Sequence, residues 1–324
     1  MVKNSTPIVS VAMITYNHAP YIGRAIESVL MQKTTFPFEI VIGEDCSTDG
    51  ANEIVLDYAK QYPETIRVIT SDTNVGMMEN DKRTNFACRG EYIAFCEGDD
   101  YWIDPLKLQK QYQTLTQYDA LSVTHNSFVL TLQDGILVGA KPRMAGGDSG
   151  FVNPEDIILK KNNPHASSLF IKISILQQMP EWYYQSPSGD VPFRMIAANM
   201  GRMYYINEIM SVYQHGTAGS WTDRERKIDK NDPQHLKFIR NYLEMCKNFD
   251  NFSGQKYHQA VQKRSQDFLI KHIFERGYKE YLDIPENQKK KIDLIVFLSK
   301  YVPARLKNKI QRMVATYLID SIYE

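Results

Sequence analysis

Cysteine is scarce in this chain. Its four cysteines, Cys46, Cys88, Cys96 and Cys246, form no CxxC pair, which excludes a disulfide scaffold and the usual zinc spacings and suits a reducing compartment. Long apolar runs are missing too: no stretch reaches the roughly 18 apolar residues of a membrane span, so no transmembrane helix is expected. Neither sign of charge is in excess. Lys plus Arg and Asp plus Glu number 38 each, so no overall field points to nucleic acid as a partner. The opening MVKNSTPIVSVAMITYN passes from a short apolar run straight into a polar turn, unlike a secretory leader, and a cytoplasmic protein is expected. What is present, 43% hydrophobic and 23% charged residues over 324 positions, suits one large globular domain with an extension, or two domains.

The first hundred residues alternate in period. Apolar runs at 8–14 (IVSVAMI), 38–42 (FEIVI), 66–70 (IRVIT) and 92–96 (YIAFC) read as strands. Between them, apolar residues at helical spacing (Ile22, Ala25, Ile26, Val29; then Ile54, Val55, Tyr58) predict crossover helices, with a further helix over 77–88. This βαβαβαβ order implies a parallel sheet with right-handed crossovers and helices on both faces. Such sheets bind ligands beyond the carboxyl ends of their strands. Three polar clusters fall there: Thr15-Tyr16-Asn17, Glu44-Asp45 and Glu97-Gly98-Asp99-Asp100. After residue 105 the pattern is less regular, with strand-like runs at 122–124, 128–132, 168–171 and 203–206, a surface loop AGGDSG at 145–150 and a short helix over 190–200. From about Asp223 the composition turns charged, Tyr-rich and helical.

The stretch EYIAFCEGDDYW, 91–102, ends a buried strand in three carboxylates within four residues. Asp104-Pro105 already provides a helix start, so capping leaves Glu97, Asp99 and Asp100 unexplained. Clustered carboxylates become favourable around a divalent cation, and hard oxygen ligands suit Mg²⁺ or Mn²⁺ with the rest of the shell from water and substrate phosphates. An acidic structural turn is the alternative.

Taken in order and spacing, PIVSVAMITYNHAPYIGRAIESVLMQ, FEIVIGEDCSTDG and GEYIAFCEGDDYWIDPLKLQKQ resemble the inverting family 2 glycosyltransferases of the GT-A fold, over roughly residues 7–221. The similarity is strongest to bacterial members that build surface polysaccharides. It implies a Rossmann-like, mostly parallel sheet, with a catalytic domain over 1–222 (nucleotide half about 1–104, acceptor half about 105–222) and a helical extension over 223–324. It implies a nucleotide-sugar donor, UDP-linked by preference, and transfer of a hexosyl or N-acetylhexosaminyl group to a glycan or lipid-linked acceptor with Mn²⁺ or Mg²⁺ at the acidic turn.

By the same resemblance Tyr16 packs on the nucleobase with Thr15 and Asn17 beside it, Asp45 accepts a hydrogen bond from the base, and Asn80 lines the donor pocket. One of Glu97 and Asp99 reaches the ribose or metal, Asp99 or Asp100 bridges the ion to the diphosphate, and His215 ligates the ion or hydrogen-bonds a phosphate. The loop SVYQHGTAGSW closes over the diphosphate, with Trp221 able to cap the sugar. Glu97 departs from the family's usual Asp, which leaves open which carboxylate meets the ion. An acidic residue at a helix start in SPSGDVPFRM marks Asp190 as the general base; the structural alternative is an N-cap. His165, in NPHASSLF, precedes a strand on the acceptor side. Beyond 286, Lys289, Lys290, Lys291, Lys300, Arg305, Lys307, Lys309 and Arg312 interleave with aliphatic residues. That pattern suits peripheral contact with an anionic inner membrane, packing on the catalytic domain, or self-association. A non-catalytic sugar-nucleotide or glycan-binding protein on the same fold is the competing class.

Overall fold

The computed structural model describes residues 6–133, 135–143, 147–217, 220, 223, 233–272 and 304–323. They fall into two compact units, Met1–Arg226 and Lys227–Glu324.

The first unit is built on one ten-stranded sheet. Strands β1 (Val9–Thr15), β2 (Phe38–Glu44), β3 (Ile66–Ile69) and β4 (Tyr92–Phe95) alternate with helices α1 (Ala19–Leu30), α2 (Ala51–Gln61) and α3 (Met77–Ala87). All four strands run parallel in the order β3-β2-β1-β4. Their side chains explain the registry: Val9, Val11 and Met13 of β1 and Ile40 and Ile42 of β2 pack with Ile22, Ile26 and Val29 of α1 in one fully buried cluster. Each such side chain contributes roughly 1.5–3 kcal/mol on burial, which outweighs the weak helix propensity of the β-branched residues in α1.

Two turns fix where the strands stop. Asp49 accepts the backbone N–H of Ala19 (2.8 Å) and of Ala51 (3.0 Å), so one carboxylate serves the first turns of both α1 and α2. Gly50 beside it has φ 97°, a conformation open to glycine. Asn17, itself at φ 56°, accepts the N–H of Thr48.

Beyond β4 the sheet becomes mixed. A short strand β5 (Tyr101–Trp102) leads to α4 (Lys107–Gln117), and β6 (Ser122–Gln133) is a single long strand where two short ones were expected. It turns back through β7 (Ile136–Arg143), and β8 (Gly150–Phe151) precedes α5 (Pro154–Ile158). A 3₁₀ turn at Ala166–Ser168 feeds β9 (Phe170–Lys172), followed by α6 (Ser174–Gln177), α7 (Glu181–Tyr184), α8 (Asp190–Met200) and β10 (Met203–His215). Strand β9 lies antiparallel between β4 and β6, while β10 runs parallel to β6 and antiparallel to β5. Strand β10 runs well past Ile206, where the sequence pattern breaks. Its register against β6 shifts between Ile206 and Ser211, so the apolar alternation is interrupted without ending the strand.

The second unit contains α9 (Pro233–Phe252), α10 (His258–Ile270) and α11 (Ala304–Tyr323). Tyr242 stacks on Phe268 at 3.7 Å, and Arg264 donates to the Tyr242 hydroxyl at 2.8 Å. Lys289–Lys291 and Lys300, invoked for membrane contact, lie outside the described residues, as does Trp221. Among the described residues no helix is long and apolar enough to cross a membrane.

Candidate active site

The turn after β4 is held against β1 by the absence of a side chain at Gly98. A Cβ there would stand 2.8 Å from Thr15 Oγ1 and 3.1 Å from His18 Nδ1, closer than packed atoms come. The Gly98 N–H instead reaches Ile14 O at 2.9 Å. Glycine in EGDD thus lets the acidic turn lie directly on the end of β1.

The three carboxylates then diverge. Asp99 Oδ2 accepts from Thr217 Oγ1 at 2.7 Å and lies 3.9 Å from His18 Nε2. Asp100 is fully buried: Oδ1 accepts the Gln214 N–H at 3.0 Å, whereas Oδ2 has no hydrogen-bond partner. It lies 3.3 Å from His165 Nδ1, and His165 Nε2 lies 3.8 Å from Glu97 Oε2. Burial together with the charges of Asp99 and Glu97 raises Asp100 well above the usual carboxylate range. Burial, then Asp99, Asp190 and Asp81, push Glu97 up to about 8. Burial and the nearby Arg143 hold His165 well below the ordinary histidine range, so its ring is neutral, the form that ligates metals. That ring stacks on Tyr213 at 3.9 Å, and its Nδ1 is 2.7 Å from Ser167 Oγ.

Glu97, Asp100 and His165 each offer a ligand atom within 4.8 Å of the others. This differs from the expected set of Asp99, Asp100 and His215. Asp99 is engaged by Thr217, and His215 stands two residues beyond the Tyr213 ring, outside the group of three. The residues present suit a divalent cation: an unsatisfied buried carboxylate oxygen lacks a positive partner, and two carboxylates with one imidazole make an oxygen-rich, mixed set.

Asp190 is placed beside this group. It begins α8, but the N-cap is Gly189 and no side chain caps the helix, so the capping alternative fails. Its Oδ2 pairs with Arg194 Nη1 at 2.9 Å, and the side chain remains 40% exposed. Burial alone would raise this carboxyl; Arg194, His165 and Arg143 overcome that and hold it below the usual range. Arg194 is itself buried and donates to Pro164 O at 2.8 Å.

On the nucleotide side, Asp45 accepts the N–H groups of Val75 (2.8 Å) and Gly76 (3.0 Å), with Arg83 at 3.8 Å. Its carboxylate therefore shapes the loop before α3. Asn80 is buried, donates to Gly43 O and accepts from Arg83 Nε, both at 2.9 Å; it ties α3 to β2 instead of lining an open pocket. Thr15 is buried, and Tyr16 and Asn17 are half-buried at the same rim. Asp45→Ala should lower Tm by the loss of two charge-assisted bonds, worth about 1.5–3 kcal/mol each. Asp45→Asn keeps one acceptor and should fall between; thermal melts of both variants check this. An unchanged melt in Asp45→Ala would show that the loop does not depend on this carboxylate.

Arg83, Arg143, Arg194, Gln214 and Thr217 were not singled out in the sequence. Arg194 lies in SPSGDVPFRM, and Gln214 and Thr217 in SVYQHGTAGSW, but their contacts with Pro164, Asp100 and Asp99 are long-range and leave no local signal. The same holds for the contacts of Arg83 with Glu44 and Arg143 with Asn163.

The parallel half-sheet, the acidic turn at its carboxyl edge and the mixed half beyond define the GT-A fold of glycosyltransferases. Residues 10–131 match the family described as Glycosyl transferase family 2, and the chain carries that family's domain, as the motifs implied. An uncharacterized protein of Mycobacterium tuberculosis is 33% identical over 67% of this chain, which spans 62% of that relative's length. TuaG of Bacillus subtilis, named for teichuronic acid biosynthesis, is 33% identical over 41% of this chain and 51% of its own. S. aureus TarS 1–349 in complex with UDP-GlcNAc has the same fold at TM-score 0.61 and 17% identity, covering 97% of this chain and 91% of that fragment.

Proposed function

We propose that the protein is a metal-dependent, inverting glycosyltransferase. It moves a hexosyl or N-acetylhexosaminyl group from a UDP-sugar to a glycan or lipid-linked acceptor in surface polysaccharide synthesis. The observation that carries this reading is an ionised, accessible Asp190 carboxylate beside the Glu97–Asp100–His165 group. With Oδ2 held by Arg194, Oδ1 is the oxygen that receives the acceptor's hydroxyl proton. The hydroxyl oxygen bonds to the anomeric carbon as the carbon–oxygen bond to the nucleoside diphosphate breaks. Because the carboxylate is held below its usual range, it is a weak base that is always ready: it accepts the proton as the attacking oxygen becomes acidic, late in bond formation.

Glu97, Asp100 and His165 would hold a divalent ion, Mn²⁺ by the nitrogen in the set, which would supply Lewis-acid stabilisation of the departing diphosphate. Solved relatives of the fold support the pairing of nucleotide sugar and metal: TarS is named with UDP-GlcNAc, and a Pyrobaculum calidifontis mannosyltransferase with GDP-Man and Mn²⁺. Tyr16, Asn17, Thr15 and the loop gripped by Asp45 form the nucleotide rim. The sites of Trp221 and the basic segment from Lys289, with its membrane role, rest on the sequence alone. The binding-protein alternative would have no use for a carboxylate presented and kept ionised at Asp190.

The test is donor hydrolysis by the full chain across UDP-, GDP- and dTDP-sugars. Turnover is expected with a UDP-hexose or UDP-N-acetylhexosamine in Mn²⁺, lost in EDTA and restored by Mn²⁺. Full turnover in EDTA would overturn the metal's part; absence of turnover with every donor, while UDP still binds, would favour the binding protein.

A further inference from the structure

Two arginines approach the His165 turn through neighbouring carbonyls. Arg194 Nη1 donates to Pro164 O at 2.8 Å, and Arg143 Nε, from the last residue of β7, donates to Asn163 O at 2.9 Å. Their surroundings differ. Arg194 is buried and neutralised by Asp190. Arg143 is half-buried, and the Nε bond is its one side-chain hydrogen bond; among the described residues no carboxylate lies within ion-pair distance. The Nη1–Nη2 edge, the face that grips paired oxygens, bonds to no described group.

Arg143 is anchored close to the catalytic groups, since Asn163 stands next to the Pro164 whose carbonyl Arg194 holds and two residues from His165. Asp190, Asp100, Tyr213 and His165 are all close enough for their charges to act on Arg143 or be acted on by it. Burial and the Arg194 charge pull Arg143 below the ordinary arginine range, the sign of a cation placed against its preference. A guanidinium anchored by Nε, partly stripped of water and with no carboxylate in ion-pair distance among the described residues is a preorganised fork for a planar or tetrahedral anion. A surface arginine that merely meets solvent keeps its rotamer freedom; here the bond to Asn163 O removes it.

We propose that Arg143 is an anion-binding residue of this site, its free guanidinium edge receiving a phosphate or carboxylate group of a substrate held against Asp190. The inference rests on the glycosyltransferase reading for the word substrate, but the binding itself does not require turnover. Two sources share the chemistry: the diphosphate of the donor, and an anionic group on the acceptor within about one sugar of the reacting hydroxyl. Either would offset the charge that the structure leaves uncompensated.

Calorimetry on the full chain separates them, using wild type, Arg143→Met and Arg143→Lys in Mn²⁺. Each is titrated with UDP, and then with methyl phosphate at saturating UDP. Removing a charge-assisted bidentate contact should weaken the affected binding roughly 10–100-fold. Weaker UDP binding assigns the edge to the donor diphosphate. Unchanged UDP binding with methyl phosphate lost assigns it to an anionic acceptor. Arg143→Lys should melt as wild type does yet recover only part of the affinity, because an ammonium cannot present the fork. Wild-type affinity of Arg143→Met for both probes would overturn the proposal, as would full rescue by lysine. Because both readouts are binding, a failed hydrolysis screen would remove the enzyme reading without touching this one.

Discussion

Asp190→Asn should leave UDP-sugar binding within a factor of about two of wild type and cut transfer roughly 10²–10⁴-fold, the usual worth of general-base catalysis. The isostere keeps an oxygen for Arg194 Nη1, so the strut to Pro164 O and the turn bearing His165 should persist. No helix cap is lost, because Gly189 occupies that position, but buried Arg194 loses its counter-charge, so Tm should fall. The discriminating quantity is therefore turnover measured well below the melt of both proteins. Single-turnover transfer beside donor calorimetry provides it. Near-native transfer would remove Asp190 from the chemistry.

Asp100→Asn should separate binding from stability in the opposite sense. The carboxyl is buried with one unpartnered oxygen and its pKa is raised, so it costs stability; the cost is absent below the ordinary carboxylate range and grows as pH rises from there toward the raised folded value, because the folded protein keeps a proton that the unfolded chain gives up. The amide removes the cost. Its oxygen can still accept the Gln214 N–H, and its NH₂ can donate to His165 Nδ1. Tm at neutral pH should therefore hold or rise, while Mn²⁺-dependent UDP binding falls by roughly 100-fold or more. His165→Ala should lower Mn²⁺ affinity by roughly 10–100-fold, in the range seen when the support of a metal ligand is lost. Equal Mn²⁺ titrations of Asp100→Asn and wild type would refute the cation site. A fall in Tm with unchanged binding would return Asp100 to a structural role.

The nucleotide half was legible because its signals are local. Period-two strands and period-3.6 helices alternate over the first hundred residues, and EGDD sits where a parallel sheet delivers ligands. Gly98 could be seen as a strand breaker; that it clears the way to Thr15 and His18 could not, since those contacts span eighty residues. His165 precedes a strand-like run that is visible at 168–171, but its place beside Glu97 and Asp100 depends on that strand pairing antiparallel with β4, which no local pattern specifies. Strand β7 went unread for another reason. Its exposed Ile136, Leu137 and Val138 lie on both faces, so the alternation that marks a half-buried strand is absent. The hydrogen bonds of Asp45 and Asn80 run to the chain itself, pairings that no local pattern marks.

Strand β9 has a consequence for the order in which the molecule assembles. Strands β1 to β4 and their helices come from the first 95 residues, so even the β1–β4 pairing, Val9 opposite Tyr92, is complete within them. The far edge of β4 is covered only by residues 170–172, and the sheet beyond waits for β10 at 203–215. Contacts of such sequence separation are slow to form. On a ribosome the nucleotide half would emerge first with a bare strand edge, a template for mispairing until β9 arrives. The Glu97–Asp100–His165 group and Asp190 come together only after that closure. A fragment ending at residue 131, where the family match stops, would keep the EGDD turn but have an open edge and no His165.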